Sequence, residues 1–179
     1  QYHMLRHLAK THEVTLVSFT RPDDPPEAIT HLREICHGIH VVQIRRSTWR
    51  NLVAGARGVL TGLPITIVRD EMGEMRSTLR GLVRETEFDV IHADQLSMAG
   101  WGQLAMRLSR PHRPWTLLDE HNAIYLLMRR MASTEKKLVR RLLMDREALA
   151  FARYEAVMVK AYDALLTVIM EDRERLLAL

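Results

Sequence analysis

Short β-branched apolar runs alternate with helical segments along this chain, and that alternation limits the fold more than any other feature. Glu13 to Phe19 (EVTLVSF) carries apolar residues on both faces, the pattern of a strand buried between two helical layers. Ile39 to Ile44 (IHVVQI), Phe88 to His92 (FDVIH), Trp115 to Asp119 (WTLLD) and Ala164 to Ile169 (ALLTVI) read the same way. Strands separated by helices predict an α/β fold: a mostly parallel sheet with right-handed crossovers, covered by helices on both faces. The length of 179 residues suits one such domain.

The helical segments are read from their stripes. Tyr2, Leu5, Leu8 and Ala9 form one. The breaker RPDDPP (Arg21 to Pro26) precedes a helix bearing Ile29, Leu32 and Cys36 that is expected to stop at Gly38. Thr48 to Thr61 is helical but interrupted by glycine. After Pro64 one helix should carry Met72, Met75, Leu79, Leu82 and Val83, and another Met98, Trp101, Leu104, Ala105 and Leu108. From Ala123 to Tyr162 the chain avoids Gly and Pro. This predicts one long helix or two with a kink, packing Leu138, Leu142, Leu149 and Val159 on one side. A last helix opens at Glu171.

Composition narrows the function classes. Lys and Arg number 26 against 22 Asp and Glu, a net charge of +4 spread along the chain. That surplus suits an anionic ligand or membrane surface better than nucleic acid, and an aromatic content of 6% offers no stacking platform for bases. The single Cys36 excludes an internal disulfide, argues against a Cys-based zinc site and suits a reducing compartment. No apolar run approaches the roughly 20 residues that span a bilayer.

In a parallel α/β sheet, ligands bind beyond the carboxyl ends of the strands, so the residues just after each strand are the ones to examine. They are Thr20-Arg21, Arg45-Arg46, Ala93-Asp94-Gln95, Glu120-His121-Asn122 and Met170-Glu171. No GxGxxG, Walker loop, GxSxG or HExxH is present. His3 and His7, at i and i+4, lack a nearby carboxylate or thiolate ligand and read as solvated side chains. Asp94 has two readings that stand side by side: a carboxylate accepting hydrogen bonds from a substrate hydroxyl, or a cap for the next helix. The unbroken tetrad Asp119-Glu120-His121-Asn122 holds more polar groups than loop capping uses. Arg129 and Arg130 lie about two turns further on, near the same rim or on a solvated face.

Four blocks carry a family resemblance: QYHMLRHLAKTHEVTLVSF, FDVIHADQLSMA, LLDEHNAIYLLMRR and YEAVMVKAYDALLTVIMEDRERL. In order and spacing they resemble the N-terminal half of a group 1 (family 4) glycosyltransferase. The resemblance implies the GT-B architecture, two Rossmann-like domains facing across a cleft. It also implies transfer of a sugar from a nucleotide diphosphate sugar to a glycan or lipid-linked acceptor, usually with retention, without a metal and without a further cofactor. The acceptor-side domain would be the part in hand.

By that resemblance, His92 and Asp94 match a His-x-His or His-x-Asp strand end, and Asp119, Glu120, His121 and Asn122 match a segment lining the cleft. Asp94 and His121 are then the expected catalytic residues. His92, Gln95, Glu120, Asn122 and Arg129 are the expected substrate contacts, with no metal ligand. The family's first strand and glycine-rich loop are expected before Gln1, and its donor-binding domain with the Glu-x7-Glu motif after Leu179. Residues 1–179 would therefore be a single Rossmann-like domain, inactive alone. A Ser after the late Val is common in relatives, and here the segment reads Val168-Ile169-Met170. The expected location is cytoplasmic with a peripheral membrane contact, for which Arg45 to Arg57 with Trp49 is the candidate segment. A non-catalytic α/β module binding an anionic partner through its basic rim is the alternative.

Overall fold

The computed structural model describes residues 2–44, 47–168 and 170–178. Arg45, Arg46 and Ile169, named above, lie outside the described residues. The chain divides into two compact units, residues 1–48 and 49–179. Among the described residues no helix is long and apolar enough to cross a membrane.

In the first unit, α1 (Tyr2–Leu8), β1 (Thr15–Thr20), α2 (Pro26–Arg33) and β2 (Gly38–Gln43) follow one another. The two strands pair in parallel from Thr15 with Gly38 to Thr20 with Gln43. Parallel pairing requires a crossover, and α2 supplies it. This helix ends at Arg33, five residues before the predicted stop at Gly38. The Glu34 amide closes on His31 and the Cys36 amide on Leu32, and the Gly38 amide already bonds the Val14 carbonyl. Residues 34–37, which helical periodicity had claimed, form the turn that leads into β2. Cys36 stays buried, and burial pushes its thiol pKa up.

The second unit begins with α3 (Thr48–Thr61), α4 (Ile65–Arg69) and α5 (Gly73–Glu85). The single helix expected after Pro64 is two, because Met72 is extended (φ −124°, ψ 131°). Its buried side chain joins the core from outside either helix. The Glu147 carboxylate satisfies an otherwise unpaired donor at the start of α4, accepting the Ile65 amide at 3.0 Å. Arg146 beside it donates to the Gly58 and Leu63 carbonyls.

Next come β3 (Val90–Asp94), α6 (Leu96–Leu108), β4 (Trp115–Glu120), α7 (Ile124–Thr134), α8 (Leu138–Ala161), β5 (Ala164–Thr167) and α9 (Met170–Leu177). The strand order is β3-β4-β5, all parallel. Both crossovers are helical, as the alternating sequence predicted. Parallel strands joined by helical crossovers are the Rossmann-like α/β architecture that the sequence led us to expect. The core gathers Ala93, Leu118, Phe151, Tyr154 and Tyr162 around Leu96 and Ala99. Full burial of a side chain the size of Leu118 contributes about 1.5–3 kcal/mol.

The Gly- and Pro-free stretch is helical on either side of a break at residues 135–137. Its buried face differs from the predicted one. Leu138, Leu142 and Leu149 are exposed, Val159 packs partly buried against the core as expected, and α8 otherwise buries Ala148, Ala150, Phe151, Tyr154 and Glu155. Small alanines let a helix sit close to its neighbours, so the alanine and aromatic side faces inward and the leucines face out.

Candidate functional site

The cross-strand register sets Asp94 beside Asp119, the last residue of β3 next to the penultimate residue of β4. The Gln95 amide continues the ladder with a bond to the Asp119 carbonyl at 2.8 Å. Side chains alternate along a strand. Ala93 and Leu118 therefore enter the core, while His92, Asp94 and Asp119 share the opposite side, and His121 rejoins them just past the end of β4.

The four side chains converge. His121 Nε2 lies 3.1 Å from Asp94 Oδ1 and 3.8 Å from Asp119 Oδ1. His92 Nε2 lies 3.9 Å from Asp119 Oδ2. Asp119 is the buried centre of the group, with an imidazole on each side; Asp94 and His121 are its partly open members. Two carboxylates beside two imidazoles can accept a proton from a hydroxyl, hold it and return it. Among the described residues, Asp94, Asp119 and His121 are also the group that could hold a metal ion, with ligand atoms all within 4.8 Å of one another.

Other expected site residues fall differently. Gln95 is at the N-cap position of α6 with φ 69°, uncommon for a residue with a side chain, and is exposed. Asn122 is exposed on the turn after β4. Arg129 is exposed on α7, outside the ion-paired cluster. Glu120 is a correction: it was expected to touch substrate but is only 1% exposed. β4 runs one residue further than predicted, and strand alternation sends the Glu120 side chain to the core side.

There Glu120 meets Glu155 of α8, which is 0% exposed, and Asp172 of α9 lies near both. Glu155 Oε1 accepts the Tyr125 amide of α7 at 3.1 Å. No donor among the described residues reaches either oxygen of Glu120 or the second oxygen of Glu155. A proton on one carboxyl, donated to the other, resolves this pairing. Burial first, then the negative charge of Glu155, pushes Glu120 up to about 8; burial also raises Glu155, to about 7. Sequence reading overlooked Glu155. Its signal was an acid inside the buried stripe Ala148, Phe151, Glu155.

An open cleft of about 130 Å³ is walled by Ile67, Leu96, Ile124 and Phe151, with Thr66, Asp70, Gln95 and Ser97 as its polar lining. Gln95 to Ser97 follow Asp94 directly, and Ile124 follows the His121 turn, so cleft and cluster share the carboxyl edge.

A parallel α/β unit with its polar groups gathered at that edge is a ligand-handling domain of the Rossmann-like class. The chain belongs to Glycosyltransferase Family 4, whose family model matches residues 2–178. No curated protein and no solved structure matches it.

Proposed function

We propose that this chain is the acceptor-side domain of a glycosyltransferase that moves a sugar from a nucleotide diphosphate sugar to a glycan or lipid-linked acceptor, with retention. The observation that carries this reading is the 3.1 Å pairing of His121 with Asp94 at the strand ends, beside the cleft. The acceptor lies in the cleft, its apolar ring faces against Ile67 and Ile124 and its hydroxyls towards Ser97 and Asp70. The attacking hydroxyl, which approaches the anomeric carbon from the face the diphosphate leaves, hydrogen-bonds to the Asp94–His121 pair; the pair takes its proton as the new glycosidic bond forms and the bond to the diphosphate oxygen breaks. His92 and Asp119 hold that pair in place, and Asn122 and Arg129 meet the outer parts of the substrates. The leaving diphosphate is held chiefly by a second, donor-binding domain, so transfer depends on positioning and electrostatics across the two. No metal enters this scheme. The enzyme works at a cytoplasmic membrane face, with the exposed Trp49, Leu52 and Leu60 of α3 among Arg50 and Arg57 as the contact.

The test is turnover of the full-length enzyme with its donor and acceptor. Asp94→Asn and His121→Ala should each cut kcat about a hundredfold or more at unchanged melting temperature. Activity within a few-fold of the parent in both variants would sink the assignment.

A further inference from the structure

The buried side of the His121 turn holds an arrangement that the proton-transfer scheme does not use. Three features meet there. Glu120 is the last residue of β4 and precedes His121, so the packing that fixes its buried side chain also anchors the end of the strand from which the His121 turn departs. Glu155, on α8, supplies the cap that α7 lacks. The N-cap residue of α7 is Ala123, which has no side-chain oxygen, and Glu155 takes the Tyr125 amide in its place. The segment between, His121-Asn122-Ala123, is thus tied at both ends to one carboxyl of α8. That carboxyl is completely buried, and no cation among the described ion pairs neutralises it. An apolar side chain would pack such a position at least as stably, since buried ionisable groups often cost more than they return. The cap uses one carboxyl oxygen; the second, which no donor among the described residues reaches, has no capping use.

We propose that Glu155 is a positioning residue for the Asp94–His121 pair: through Glu120 and the first turn of α7 it holds the His121 turn from the buried side. The inference rests on the reading of that pair as the group facing the acceptor hydroxyl. Asp94 touches His121 at a single distance of 3.1 Å, and a displacement of about 1 Å in a reacting group can cost as much as a hundredfold in rate.

Three variants of the full-length enzyme test it. Glu155→Gln keeps an acceptor for the Tyr125 amide and a donor for Glu120, and should retain kcat within about threefold. Glu155→Leu fills the volume without capping; the lost cap offsets the gain from removing a buried acid, so it should fold with stability close to the parent, yet lose kcat tenfold or more with KM little changed. Glu155→Ala should lose kcat as Leu does, and if it does not fold, the Leu variant carries the comparison. The ring nitrogen resonances of His121, identified through His121→Gln, should be displaced in the Leu variant and parental in the Gln variant. Parental kcat and parental His121 resonances in folded Glu155→Leu would overturn the proposal, as would equal loss in Gln and Leu. The resonances are read without turnover. If His121→Ala itself keeps full activity while Glu155→Leu still displaces the ring, the acceptor-side reading has failed and the positioning contact stands.

Discussion

The buried carboxyls make stability depend on pH in a direction opposite to that of most acidic residues. A carboxyl whose pKa is raised in the folded state keeps its proton where the unfolded chain has already released it. Between about 4.5 and about 8 the native state therefore binds more protons, and stability falls as pH rises through that window. The stabilising proton is fully in place below 4.5 and gone above 8. Raising one carboxyl from 4.5 to about 8 corresponds to a ceiling of about 5 kcal/mol, at 1.36 kcal/mol for each pH unit. Relaxation around the charged form lowers this, and we expect about 2–4 kcal/mol to be lost between pH 5 and 8.5. The assay is urea unfolding at half-unit pH steps, comparing the parent with Glu120→Gln. The Gln side chain is neutral throughout and can donate to Glu155, so the variant should flatten the slope and exceed the parent by about 1–3 kcal/mol at pH 8.5. Histidines titrate in both proteins, and the difference between the two curves isolates the carboxyl. Parallel curves from pH 5 to 8.5 would show that Glu120 does not hold its proton, and the shared-proton description would be wrong.

Two further outcomes test the frame around the site. A Cβ added at Gly102 would collide with the Tyr162 hydroxyl and meet Ala93 Cβ at 3.1 Å, while that hydroxyl donates to the Ala99 carbonyl at 2.6 Å. Gly102→Ala should lose about 1–3 kcal/mol despite the gain in helix propensity, and a second change, Tyr162→Phe, should recover part of it; a raised melting temperature in the single variant would contradict the packing. Asp163 accepts bonds from Arg113 and from the Thr116 hydroxyl and amide, each at 2.8 Å, and these hold its pKa down to about 2. The stability it contributes is present above about 4 and lost as pH falls towards 2, so its carboxyl resonance should titrate near 2, and a midpoint close to 4 would mean that the bonds do not persist in solution.

The periodicity of β3 and β4 was enough to bring Asp94 and His121 to one edge, because parallel neighbours must end side by side and period-two alternation then chooses the face. The same rule misplaced Glu120. A strand end uncertain by one residue reverses which side its final residue points to, and polarity alone read Asp119-Glu120-His121-Asn122 as one exposed rim. For α8 the difficulty was different. Apolar residues occur on every side of that helix, so helical period could not select the buried face, and volume decided in favour of Ala148 and Ala150 over Leu142 and Leu149. Glu155 became visible only once that face was known. An acid on a solvated face needs no explanation, whereas an acid at 0% exposure beside a second carboxyl does. The two errors are therefore one: turning Glu120 inward and turning α8 onto its alanine side bring the same two carboxyls together, directly beneath the turn that carries His121.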